Sequence, residues 1–94
     1  MITGDSRVSL ARHARLRDDP VSGKPVLLAP ERGLELNATG ARIAVLCGGG
    51  PRVAEIVDRL LAEAEPGLGR AQVEAEVLSF LRALEERGLV VSGE

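Results

Sequence analysis

The stretch Val26-Leu-Leu-Ala-Pro-Glu-Arg-Gly-Leu-Glu-Leu-Asn37 decides how this chain is read. Its first four residues form a short apolar run, and Leu34-Glu35-Leu36 alternates apolar with charged as a half-buried strand does. Between them, Pro30-Glu31-Arg32-Gly33 has the chemistry of a turn. Proline pre-sets φ at the second position, and glycine tolerates a positive φ at the exit. The stretch is therefore predicted to be a pair of strands, with Leu34 and Leu36 turned toward a core. Asn37 stands where a helix begins, because its side chain can accept from an amide of the first turn.

Toward the N-terminus, Ala14-Arg15-Leu16-Arg17 alternates in the same way. Asp18 to Pro25, with its Asp, Pro, Ser and Gly, supplies the intervening turn. That makes a three-stranded sheet. Met1 to Arg12 shows no clear period and is read as a mobile arm. It leads into the one basic stretch, in which Arg7, Arg12, Arg15 and Arg17 surround His13.

Toward the C-terminus the period changes to that of helices. Ala38 to Cys47 is apolar on nearly every side, as a central buried helix is. Gly48-Gly49-Gly50 stops it, and Pro51 suits the first turn of the next helix. Val53, Ile56, Val57, Leu60, Leu61 and Ala64 then form an amphipathic stripe. After Pro66-Gly67-Leu68-Gly69, a third helix carries Val73, Val77, Phe80, Leu81 and Leu84 on one face. Gly88 is placed to end it in the left-handed conformation. Leu89-Val90-Val91 is read as a last short strand or as a segment packed under the sheet. The expected architecture is α+β: a small winged-helix-like domain, a three-stranded antiparallel sheet followed by three helices, with residues 1–94 in a single unit.

Composition narrows the function. The chain has 94 residues, of which 45% are apolar, but Phe80 is its one aromatic, so the core must be built from aliphatic side chains. A net charge of −2 is not that of a chain made to neutralise phosphates. A winged-helix DNA-binding regulator is the runner-up, and the segment Arg70 to Arg87, with three arginines against four glutamates, argues against it. An enzyme is disfavoured too. His13 has no ligand or base at a useful spacing, Gly48-Gly49-Gly50 lacks the Lys and Ser/Thr of a phosphate loop, and no cofactor or metal is expected. Cys47 is alone, with no neighbour to activate it, and reads as a small buried hydrophobe. The longest apolar runs are far below the ~20 residues of a membrane helix. A cytoplasmic location is the expectation, with neither membrane nor nucleic acid as partner. The triple glycine is a joint that would also permit a homodimer formed by exchange of elements.

Leu10-Ala-Arg-His-Ala-Arg-Leu-Arg17, Val26-Leu-Leu-Ala-Pro-Glu-Arg32 and Leu34-Glu-Leu-Asn37 closely resemble the blocks of the pyrroloquinoline quinone (PQQ) biosynthesis protein D family. Val53-Ala-Glu-Ile56, Val77-Leu-Ser-Phe-Leu-Arg-Ala-Leu84 and Arg87-Gly-Leu89 resemble its helical half, so the likeness runs from about Leu10 to Val90. The resemblance implies a recognition element that binds the leader of a ribosomal precursor peptide and presents it to a radical S-adenosylmethionine enzyme, without a cofactor of its own. A recognition element of another peptide-natural-product pathway is the neighbouring reading. In related domains the leader adds a strand beside the third strand and packs against the third helix. Carried over, that edge is Gly33, Leu34, Glu35 and Leu36, and the wall is Val73, Val77, Leu78 and Leu81.

Leu78 lies off the main stripe and is the wall residue expected to be freest for a guest. Arg12, Arg15, Arg17 and Arg32 are candidate electrostatic contacts for an acidic leader. Aspartate at Leu36, Leu78 or Leu81 is expected to abolish leader binding while the fold survives.

Overall fold

Alternating side chains do build a sheet around the 26–37 stretch, but a second ladder, joining the two ends of the chain, accompanies it. The computed structural model describes residues 2–29, 32–63, 67 and 69–93. Its elements run β1 (Arg7–Leu10), β2 (Arg15–Asp18), β3 (Pro25–Ala29), β4 (Arg32–Glu35), α1 (Ala38–Cys47), α2 (Val53–Glu63), α3 (Arg70–Glu86) and β5 (Val90–Gly93). The strands β2, β3 and β4 form the expected three-stranded antiparallel sheet, in that order. With the three helices behind it, the domain is α+β as the sequence implies. The turn residues Pro30 and Glu31, the stripe member Ala64, and Pro66 and Leu68 of the α2–α3 break lie outside the described residues.

The β2–β3 turn is held by its own side chains. Asp19 Oδ1 accepts from the Val21 amide at 2.9 Å, which keeps its carboxyl below the usual range. Gly23 takes φ 72°, a value that favours glycine.

Where a mobile arm is expected, residues 2–12 are built into the fold. Arg7–Leu10 pairs antiparallel with Val90–Gly93, so that Arg7 faces Gly93 and Leu10 faces Val90. Ile2 is fully buried, and its carbonyl accepts two bonds from the Arg82 guanidinium at 2.9 and 3.1 Å. The same segment serves α2. The first amides of a helix have no partner within it, and here Val53 and Ala54 donate to the carbonyls of Ser6 and Gly4 at 2.9 and 3.0 Å. Pro51 is consequently ahead of the helix, not in its first turn, with its carbonyl accepting from Val8. Glu55 reaches back to the Arg52 amide at 3.0 Å, half of a capping box.

Asn37 caps α1 as its position implies: Oδ1 accepts from Gly40 N at 2.7 Å. Such a cap contributes ~1 kcal/mol. Among the described residues the core is aliphatic apart from Cys47. Leu27, Ile56, Leu81, Leu84 and Leu89 are each no more than 2% exposed, and each stabilises the fold by roughly 1.5–3 kcal/mol through burial. The α2 stripe turns Val53, Ile56 and Val57 inward, and α3 turns Val73, Val77, Leu81 and Leu84.

Cys47 closes α1 and is completely buried; desolvation pushes its thiol up to about 11. Since the thiolate is the reactive form, Cys47 is expected to resist Ellman's reagent at pH 8 in the native state. In denaturant it should react fully within minutes. Stoichiometric labelling of the folded protein at the unfolded rate would contradict this burial.

Candidate functional site

The last strand of the sheet, β4, has one side open. It is an edge in the order β2-β3-β4, and among the described residues no strand covers its far side. The direction of its backbone groups follows from one bond. Leu36 N donates to the Pro25 carbonyl at 2.9 Å, while Leu34 lies opposite Leu27 and Arg32 opposite Ala29. In an antiparallel ladder, hydrogen-bonded and non-bonded pairs alternate. Residues 32, 34 and 36 therefore bond toward β3, and the N–H and C=O of Gly33 and Glu35 face outward. Such a margin is a template for a further strand.

Just beyond β4 the chain enters a groove of ≈ 580 Å³ between the start of α1, the end of α2 and α3. Its apolar floor is Ile43, Leu60, Val73, Val77 and Phe80. Phe80 reaches α1 because position 40 has no side chain. A Cβ on Gly40 would lie 3.1 Å from two Phe80 ring carbons, so any larger residue displaces the ring. At the rim, Arg42 Nε and Nη2 donate to the Glu63 carboxylate at 2.9 and 2.5 Å, tying α1 to the end of α2. That fork lowers the Glu63 pKa and raises that of Arg42. Glu76 adds a second carboxylate to the lining. The arrangement offers backbone pairing beside an apolar trough with a polar rim. Among the described residues, no group of His, Cys, Asp and Glu could hold a metal ion.

Of the residues singled out from sequence, Gly33, Leu34 and Glu35 are on the open strand, and Val73 and Val77 line the groove. Leu36 and Leu81 are 5% and 0% exposed, so they support the site from inside the core. Aspartate at either position would put an unpaired charge in that core, and the fold would not survive it as expected. Leu78 is on the other flank of α3. At 100° per residue it stands about 160° around the helix from Phe80, near Arg82 and Glu85, whose bonds run to Ile2 and Ser92. Phe80 takes the place expected of Leu78.

Arg15 and Arg17 are exposed on β2, the opposite margin of the sheet, roughly 10 Å from β4 at two strand spacings. Arg12 is exposed ahead of them. The Arg32 side chain lies outside what is described. The groove residues missed in sequence had one signal: Gly40, a glycine inside a helical stretch, marks a close approach by another side chain.

This geometry has relatives. Residues 25–90 match the family model described as coenzyme PQQ synthesis protein D (PqqD). The chain belongs to the PqqD family. A PqqA binding protein of Rhodopseudomonas palustris strain HaA2 is 36% identical over 89 residues, which cover 95% of this chain and 85% of the relative. Among solved structures, the PqqD truncation of Methylobacterium extorquens PqqCD superposes with TM-score 0.76 at 31% identity, covering 97% of this chain and 95% of the other. That truncation is described as a functional, stand-alone recognition element for ribosomally synthesised and post-translationally modified peptides. TbiB1, solved in complex with the TbiA(beta) leader peptide, gives TM-score 0.74 at 31% identity, covering 87% of this chain and 93% of the other. The PqqD family is one of peptide-binding recognition elements, and membership agrees with the resemblance read from the sequence blocks.

Proposed function

We propose that this chain binds the leader of a PqqA-type precursor peptide as a fourth strand along β4 and presents it to a radical S-adenosylmethionine enzyme. The observation that carries this reading is the open margin of β4, with outward backbone groups at Gly33 and Glu35, followed two residues on by Asn37 at the lip of the apolar groove. Backbone pairing gives a guest affinity with little demand on its sequence, and the groove supplies selectivity through apolar anchors. Ordering a flexible leader costs about 2–5 kcal/mol. Each well-buried aliphatic anchor contributes roughly 1.5–3 kcal/mol, so two or three anchors against Val73, Val77 and Phe80 give net binding. The role is one of binding and delivery, performed in the cytoplasm without a cofactor. Support also comes from TbiB1, which holds a leader peptide on a closely similar fold.

Titration of the ¹⁵N-labelled chain with synthetic leader tests it. Amide shifts are expected at Gly33 and Glu35 and along Val73–Phe80, with β1 and β5 quiet. Shifts confined to other parts of the chain, or none at saturating leader, would refute the strand-addition reading.

A further inference from the structure

The sheet has a second face that the groove does not use. Leu27 is buried, so its neighbours Val26 and Leu28 point the other way, and Leu28 is 41% exposed. The register lays two rows across this outer face: Arg15, Leu28 and Gly33 in one, Arg17, Val26 and Glu35 in the other. Leu28 leans toward position 33, where a Cβ would come within 3.2 Å of its Cδ2, so glycine there keeps the apolar centre uncovered on the β4 side. Among the described residues of these rows the carboxylate is Glu35, and it is engaged by Lys24 at 3.4 Å. What remains is an apolar centre flanked by the exposed guanidinium groups of Arg15 and Arg17, which have no ion-pair partner among the described residues, on a chain whose net charge is −2.

We propose that this outer face docks the modifying enzyme, through an acidic surface patch with an apolar centre. The proposal rests on the reading of the chain as a presenter of peptide. A presenter must hold two partners together, and this face lies across the sheet from the core side on which the groove opens. Its make-up is that of a protein interface: an apolar centre with arginine beside it. Arginine forks match carboxylate pairs in geometry as well as charge. A nucleic acid fits less well, since there is no aromatic side chain on the face for a base to stack on.

The test uses the full chain and the purified radical S-adenosylmethionine enzyme of its own pathway, with binding measured at several salt concentrations. Arg15→Glu/Arg17→Glu and Leu28→Ser should each weaken enzyme binding at least tenfold, while leader affinity stays within twofold. Arg15→Lys/Arg17→Lys should restore part of the loss, and the salt dependence of the wild type should flatten in the glutamate variant. Unchanged enzyme affinity in both variants overturns the proposal. So does a face whose substitution abolishes only self-association in sedimentation, or only salt-steep binding to random duplex DNA. Leader titrated onto the same samples reports the groove separately: a wild-type chain that binds enzyme but no leader overturns the groove reading, not the docking face.

Discussion

A Glu35→Pro substitution is expected to weaken leader binding at least tenfold and leave the domain folded. The Glu35 N–H points away from β3, so its removal takes no bond from the existing ladder. Proline is tolerated on an edge strand in that position. The guest loses a donor, and the carbonyl it would have paired stays unsatisfied at a cost of about 1–3 kcal/mol, a factor of roughly 5–150 in affinity. The pyrrolidine ring also stands in the seam where the guest backbone must approach.

Glu35→Ala is the control. It removes the same side chain and the same ion pair with Lys24, both partners being more than half exposed, and such pairs contribute little. Its leader affinity should stay within about twofold of wild type. Fluorescence anisotropy with labelled leader reads both variants, and equal affinities would show that the β4 backbone takes no part.

The second large effect separates the core of α3 from its flanks. Leu81→Asp should unfold the chain. Leu81 is 0% exposed, and losing a buried leucine costs about 2–5 kcal/mol even without a new charge. An unpaired buried carboxylate adds several kcal/mol more. Domains of this size hold on the order of 5–15 kcal/mol in all, with small ones toward the lower end. Leu78→Asp, on a half-buried position away from the groove, should instead leave a cooperative melting transition and leader affinity within about threefold. Circular dichroism on heating and the same anisotropy assay decide it. A natively folded Leu81→Asp protein, or leader binding abolished in a folded Leu78→Asp protein, would contradict the placement of these side chains.

Much of this was legible in the residues. The strand pair around Pro30, the cap at Asn37 and the inward stripes of α2 and α3 all follow from local chemistry, because each signal sits within a few positions of the structure it specifies. What escaped was long-range. Arg7-Val8-Ser9-Leu10 alternates over only four residues, too few to separate from chance, and its partner strand lies 80 to 86 positions away. Pro51 has the chemistry of a helix start, but its carbonyl is claimed by Val8, and the helix opens two residues later. On α3 the periodic pattern identifies the buried face but not which flank meets the groove. That depends on how the helix is rotated against α1, and Phe80 reaches α1 only because Gly40 leaves it room.

The ladder between Arg7–Leu10 and Val90–Gly93 has a consequence for biogenesis. A ribosome releases β1 long before β5 exists, so Val8 stays without its partner Ser92 until synthesis has passed that residue. The amides that open α2 can find Gly4 and Ser6 early, but the β1–β5 seam has to wait for the strand that follows α3. During that interval the nascent polypeptide exposes an unpaired strand, the kind of surface on which chaperones act and from which misassembly starts.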